Sequence, residues 1–188
     1  MAKKNIIVGQ SGGPTAVINS SLYGVVSEGR AHSDAVEHVY GMVNGIEGFL
    51  NDRILDFEEA LPGNKLKGLT HTPGAYLGSC RYKLPESLED PVYPTLFKKF
   101  EELNIGWFFY IGGNDSMDTV SKLSRYAASI GSPIRVIGEP KTIDNDLVHT
   151  DHTPGFGSAA KYVASTVREI TTDANVYEKK SVTIIEIM

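Results

Sequence analysis

The octet "PKTIDNDL", Pro140 to Leu147, holds polar side chains at a spacing that suits catalysis. In an extended segment side chains at i and i+2 point the same way, so Asp144 and Asp146 are expected to face one space, with Thr142 on the same side. One carboxylate there can take a proton as general base while the other positions a metal ion, directly or through water. Lys141 brings a cation to the same loop. The plainer reading is a solvated Asx turn.

Three further loops carry chemistry of a more generic kind. In "GQSGGPTAVIN" the glycines let the backbone approach an anion, and the free N–H groups of a helix start favour negative charge. By itself the motif is equally a tight strand-to-helix turn, and it matches neither the dinucleotide fingerprint nor the nucleotide P-loop. In "GGNDSMDT" the same logic applies to Gly113, Asn114 and Ser116, but Asp115 puts a carboxylate where an anion would sit. The alternative there is a helix cap, for which Asp115 or Ser116 is well suited. In "LGSCRYKLPE" the guanidinium of Arg81 offers a forked match to phosphate oxygens, although one loop arginine is by itself most simply a surface residue. His149 and His152 stand beside Asp146 and Asp151 without a further ligand cluster, so a zinc site is not expected.

These loops need elements to hold them. "KNIIVG", "AVEHVYG", "GWFFYIGG", "PIRVIG" and "SVTIIEI" read as strands, with a weak strand near "RILDF". Helical spacing follows from Pro14 through Val26, after the prolines of "SLEDPVYPTLFKKFEELN", from Ser116 to Ile130, and from Phe156 to Ile170. In the last of these Phe156, Ala160, Val163 and Val167 are expected to point inward. Strands alternating with helices predict an α/β fold, a parallel sheet sandwiched by helices, with ligands at the carboxyl ends of the strands. The stretch between Asn44 and Lys83 reads as loop-rich.

The totals narrow the classes. A chain of 188 residues suffices for one ordinary domain, and 41% hydrophobic with 22% charged residues is a soluble globular composition. The net charge of −5 gives no electrostatic case for nucleic acid or anionic membrane, so an anion site must be built locally. The single cysteine, Cys80, excludes an intrachain disulfide, and no run suggests a signal peptide or a span; a cytoplasmic setting is expected.

In order along the chain, "SGGPTAVIN", "LGSCRYKLPE", "IGGNDSMDT", "PKTIDNDL", "TPGFGSAAKYVA" and "SVTIIEIM" resemble the phosphofructokinases, specifically their pyrophosphate-dependent branch. The resemblance covers nearly the whole chain, and it implies the Rossmann-like N-terminal domain of a two-domain fold. It implies phosphoryl transfer from pyrophosphate to the 1-hydroxyl of fructose 6-phosphate, a reversible step of glycolysis and gluconeogenesis. Asp144 would be the base, Asp146 would help hold Mg²⁺, and Thr142 would contact the sugar phosphate. Arg81, with the backbone of Gly12, Gly13 and Gly113, would meet the donor, and Met188 would touch the sugar. Asn114 stands where the family commonly has a metal-associated aspartate, which puts more weight on Asp146.

ATP-dependent members resemble "GGDGS" and "PGTIDND" in two of these loops, so Asp115 and Lys141 replace glycines. A carboxylate at 115 would crowd and repel a nucleotide's α-phosphate, while Lys141 adds a cation for pyrophosphate. Residues 1–188 are thus expected to form a phosphoryl-donor-binding domain, with the second, sugar-phosphate-binding domain absent from this chain and a homo-oligomer formed by the full-length protein. The alternatives are an ATP-dependent enzyme or a non-catalytic phosphate-binding module. A dinucleotide-binding domain fits poorly for lack of the glycine fingerprint.

Overall fold

The computed structural model describes residues 2–179 and 181–187. Its centre is a five-stranded sheet of order β3-β2-β1-β4-β5. The strands are β1 Lys4–Gln10, β2 Val36–Met42, β3 Ile54–Asp56, β4 Ile105–Gly112 and β5 Arg135–Pro140. All neighbours run parallel except the short edge strand β3, which is antiparallel to β2. The helices are α1 Ile18–Ala31, α2 Gly45–Leu50, α3 Phe57–Ala60, α4 Val92–Glu102, α5 Asn114–Ser129 and α6 Phe156–Ala174, with a 3₁₀ segment at Gly63–His71.

Strand β4 and residues 6–9 of β1 are apolar because both faces of the sheet are covered there. Alternate residues divide between two cores. Ile7, Phe108 and Tyr110 pack with Phe49 of α2, Leu96 and Phe100 of α4, and Leu123 of α5. Ile6 and Val8 pack on the opposite face with Ile18, Leu22 and Val26 of α1, Phe57 of α3, and Leu66 and Leu69 of the 3₁₀ segment. Burying each such side chain contributes about 1.5–3 kcal/mol. The register pairs Gln10 with Ile111 and Gly112 with Pro140, so the loops leaving β1, β4 and β5 start side by side.

The observed elements match the expected α/β alternation, with four differences. First, α1 begins at Ile18, not at Pro14: the glycine turn runs on until the amide of Ile18 donates to Thr15 O at 3.2 Å. Second, the stretch taken as loop-rich contains α2, α3 and the 3₁₀ segment, each too short to show periodicity and each pinned by buried residues such as Phe49 and Phe57.

The third difference lies in α6. It forms as expected, yet none of its residues is buried; Phe156, Val163 and Val167 are half-buried and Ala160 is exposed. A helical stripe predicts an apolar face but not what covers it. Fourth, residues 181–187 form no strand. Val182 and Ile184 are exposed, because β-branched residues favour a strand only where a neighbouring strand pairs with them.

Candidate functional site

A cavity of about 330 Å³ opens where the loops after β1, β4 and β5 meet a strap of chain, residues 79–86, that crosses them. Each wall has a local cause. The turn after β1 is anchored by Gln10, whose side-chain amide donates to Ile18 O at 3.1 Å and Asn19 Oδ1 at 3.0 Å while its oxygen accepts from Leu77 N at 2.9 Å. Asn19 in turn donates to Thr72 O and Gly74 O, both at 2.8 Å. This buried, satisfied network fixes the glycine turn to α1 and to the chain before the strap.

Gly12 adopts φ 77°, open mainly to glycine. Its N–H donates to Cys80 O at 3.3 Å and its carbonyl accepts from Ser79 Oγ at 2.5 Å, so its backbone holds the strap. A Cβ at Gly13 would meet nothing within 4 Å, so that backbone faces open space.

Gly112 ends β4 against Ser116, and any side chain at Gly112 would collide with the Ser116 hydroxyl. Gly113 is the N-cap of α5 and makes no side-chain cap bond, so neither Asp115 nor Ser116 caps as the sequence suggested. Ser116 is buried, whereas Asp115 is exposed and pairs with Lys83 at 3.3 Å across the cavity mouth. The amide of Ser116 donates to Gly113 O at 2.9 Å, which leaves the N–H groups of Asn114 and Asp115 without a helical partner at the cavity end of α5.

Lys141 supplies the floor. It is 4% exposed, lines the cavity, and its Nζ would lie 3.8 Å from a Cβ at Gly12. Burial lowers its pKa from the ordinary lysine value. The lining therefore contains the cations Arg81, Lys83 and Lys141 against the single carboxylate Asp115, in a chain whose net charge is −5. That local excess of positive charge suits a compact polyanion, and the volume lies at the small end for ligand pockets.

The structure thus brings together Gly12, Gly13, Arg81, Gly113, Asn114, Asp115, Ser116 and Lys141. Thr142, Asp144 and Asp146 lie on the loop leaving this wall, outside the cavity lining. That loop is not extended. Asn145 sits at φ 54°, and the amide of Asp144 donates to Thr142 Oγ1 at 3.0 Å, so the i, i+2 argument for Asp144 and Asp146 does not hold. A turn sets their placement, and Asp146 Oδ2 accepts from Asn114 Nδ2 at 3.2 Å. The loop is closed by Asn145, which accepts from Thr153 N at 3.0 Å and donates to Asp151 O at 3.2 Å. Thr153 Oγ1 donates to Thr142 O at 3.1 Å. Met188 lies outside the described residues.

Among the described residues no group of three His, Cys, Asp or Glu side chains could hold a metal ion. Asp146 offers carboxylate oxygens, and the neighbouring Asn114, whose Nδ2 donates to Asp146 Oδ2, could add its amide oxygen with the amide turned over; Mg²⁺ takes such oxygens when water and phosphate complete its shell. No described helix is long and apolar enough to cross a membrane.

Sequence reasoning singled out Arg81 in the strap but not Lys83, two residues on. Nor did it find Gln10 and Asn19, whose polarity at a strand end and on an inward helix face was the available signal.

The family profile described as Phosphofructokinase matches residues 5–188. The pyrophosphate–fructose 6-phosphate 1-phosphotransferase of Methylococcus capsulatus is 44% identical over 174 residues, 92% of this chain and 41% of that protein. The crystal structure of a pyrophosphate-dependent phosphofructokinase from Marinobacter aquaeolei is 46% identical, with a TM-score of 0.81, covering 90% of this chain and 41% of that one. An ATP-dependent 6-phosphofructokinase of Serratia proteamaculans is 30% identical, covering 98% of this chain and 52% of that protein. The chain therefore spans about two fifths to half the length of the relatives it matches.

Proposed function

Since the chain belongs to the phosphofructokinase family, we propose that it carries the donor site and catalytic aspartate of an enzyme using pyrophosphate and fructose 6-phosphate. The reaction gives fructose 1,6-bisphosphate and phosphate, and a second, sugar-phosphate-binding half and a homo-oligomeric assembly belong to the proposal. The observation that carries it is the small cavity with three cations, one of them the buried Lys141, and with Asp115 at its mouth.

In this reading Asp144 accepts the proton of the sugar's 1-hydroxyl as that oxygen attacks the nearer phosphorus of pyrophosphate. The bridging P–O bond breaks and phosphate leaves. Arg81, Lys83 and Lys141 hold the donor oxygens, with the open backbone of Gly13, Gly113 and the first turn of α5. Thr142 would contact the sugar phosphate, and Met188, outside the described residues, would touch the sugar. Asp146 and Asn114 would hold Mg²⁺, which supplies charge neutralisation for the phosphates. The protein's own contribution is position and fixed charge.

The test is product formation. The purified chain, and the same chain extended by the second half of a relative, are incubated with fructose 6-phosphate, Mg²⁺ and either pyrophosphate or ATP. Fructose 1,6-bisphosphate from pyrophosphate alone is the expected result. Turnover with ATP alone would overturn the assignment of the donor.

A further inference from the structure

Among the described residues, the chemistry above leaves one buried charge unused. Lys122 lies on α5, two turns beyond Asp115, and its side chain is 2% exposed. An ammonium so deep persists only where fixed oxygens replace water. Three do. Nζ donates to Leu84 O at 3.0 Å and to Glu86 Oε1 at 2.6 Å, and it pairs with Asp118 Oδ2 at 2.7 Å. The hydrogen bonds to Asp118 and then Glu86 raise its pKa against the opposing effect of burial.

Two of those three partners belong to the strap, which has no regular secondary structure to fix it. At its start Ser79 and Cys80 bond to Gly12. At its far end Lys122 grips Leu84 and Glu86, and Tyr93 Oη donates to Pro85 O at 2.6 Å. Between these anchors stand Arg81 and Lys83, both exposed and both lining the cavity. The opposite wall is the first turn of α5, the helix that carries Lys122.

We propose that Lys122 is a positioning residue that ties the strap to α5 and so sets the reach of Arg81 and Lys83 to bound pyrophosphate. The proposal rests on the donor reading above. Lys122 touches no ligand itself; it acts through the strap. An ordinary buried lysine would matter for global stability, whereas this one matters for the spacing of two walls.

The two carboxylates separate these roles. Glu86 is on the strap and 87% exposed, while Asp118 is on α5 itself. The full chain and its variants Lys122→Met, Glu86→Ala, Asp118→Asn and Arg81→Ala are compared in two measurements: calorimetric titration with Mg²⁺-pyrophosphate, and amide hydrogen exchange of residues 79–87.

K122M and E86A are expected to weaken binding by about tenfold, the scale of one hydrogen bond to a charged group, and to speed exchange in the strap. D118N should leave both near the unmodified values. Tight binding by both K122M and E86A, or equal losses in D118N and E86A, would overturn the proposal. If K122M does not fold, E86A carries the comparison from the surface. If neither the unmodified chain nor R81A binds pyrophosphate, the donor reading fails. Strap exchange then decides alone: faster in E86A supports the tether, unchanged overturns it.

Discussion

At the scale of single residues, the site sets one carboxylate against three cations. Asp115 pairs with Lys83 at the cavity mouth and is exposed, so its field is partly screened by water. Replacing it with glycine removes both the obstacle to a longer polyphosphate and the partner of Lys83. Asp115→Gly should bind ATP about tenfold more tightly, the effect of removing one like charge near a surface; an unchanged ratio of ATP to pyrophosphate affinity would refute the exclusion role.

Lys141 carries a different cost. Its folded pKa is lowered by burial, so between that value and the ordinary lysine value the unfolded chain holds more protons than the folded one. Stability without ligand therefore rises with pH across that window, and the cost of the buried charge is fully present below it. Pyrophosphate favours the charged form, so its binding weakens as pH rises through the same window. Lys141→Met should lose binding by roughly 10- to 100-fold. Thermal melts of the ligand-free variant at neutral pH should show a higher Tm than the unmodified chain.

At the scale of elements, the five strands of the sheet and the long helices were legible because their apolar patterns are sustained, whereas "SVTIIEI" read as a strand and forms none. "GWFFYIGG" announced a strand buried on both faces, and Phe108 is indeed fully buried, its ring tilted against those of Phe100 and Tyr110 with centroids at 5.5 and 5.4 Å. Phe108→Ala should cost about 3–5 kcal/mol in urea denaturation, a large share of a typical domain's 5–15 kcal/mol.

The loops were read by residue type and less well by shape. "TIDND" suggested an extended segment, but Asn145 in the left-handed region turns it, and asparagine is one of the few side chains that tolerates that conformation. Periodicity likewise said that α6 has an apolar face and not that this face goes unburied. The role of Lys122 was hidden for the same reason. Its strap partners, Glu86 and Leu84, lie 36 and 38 residues away in a segment with no pattern of its own.

At the scale of the whole molecule, the net charge and the site have opposite signs. The bulk charge opposes the approach of an anion, and the cavity overcomes it only at short range, within about a Debye length. Covered and uncovered faces also divide the chain. The two cores enclose the sheet as far as α5, while α6 has no fully buried residue and Val182 and Ile184 stand exposed.

The central place of β1 governs how the molecule comes to be. Its neighbour β2 follows after one helix, but its other neighbour, β4, pairs Phe108 with Ile7 across about a hundred intervening residues. During synthesis β1 must wait with an open flank while that length of chain emerges. The glycine turn, the strap and Lys141 meet only once β4 and then β5 have taken their places. The cavity thus depends on long-range pairing, the kind of contact that loop-closure entropy makes slow to form.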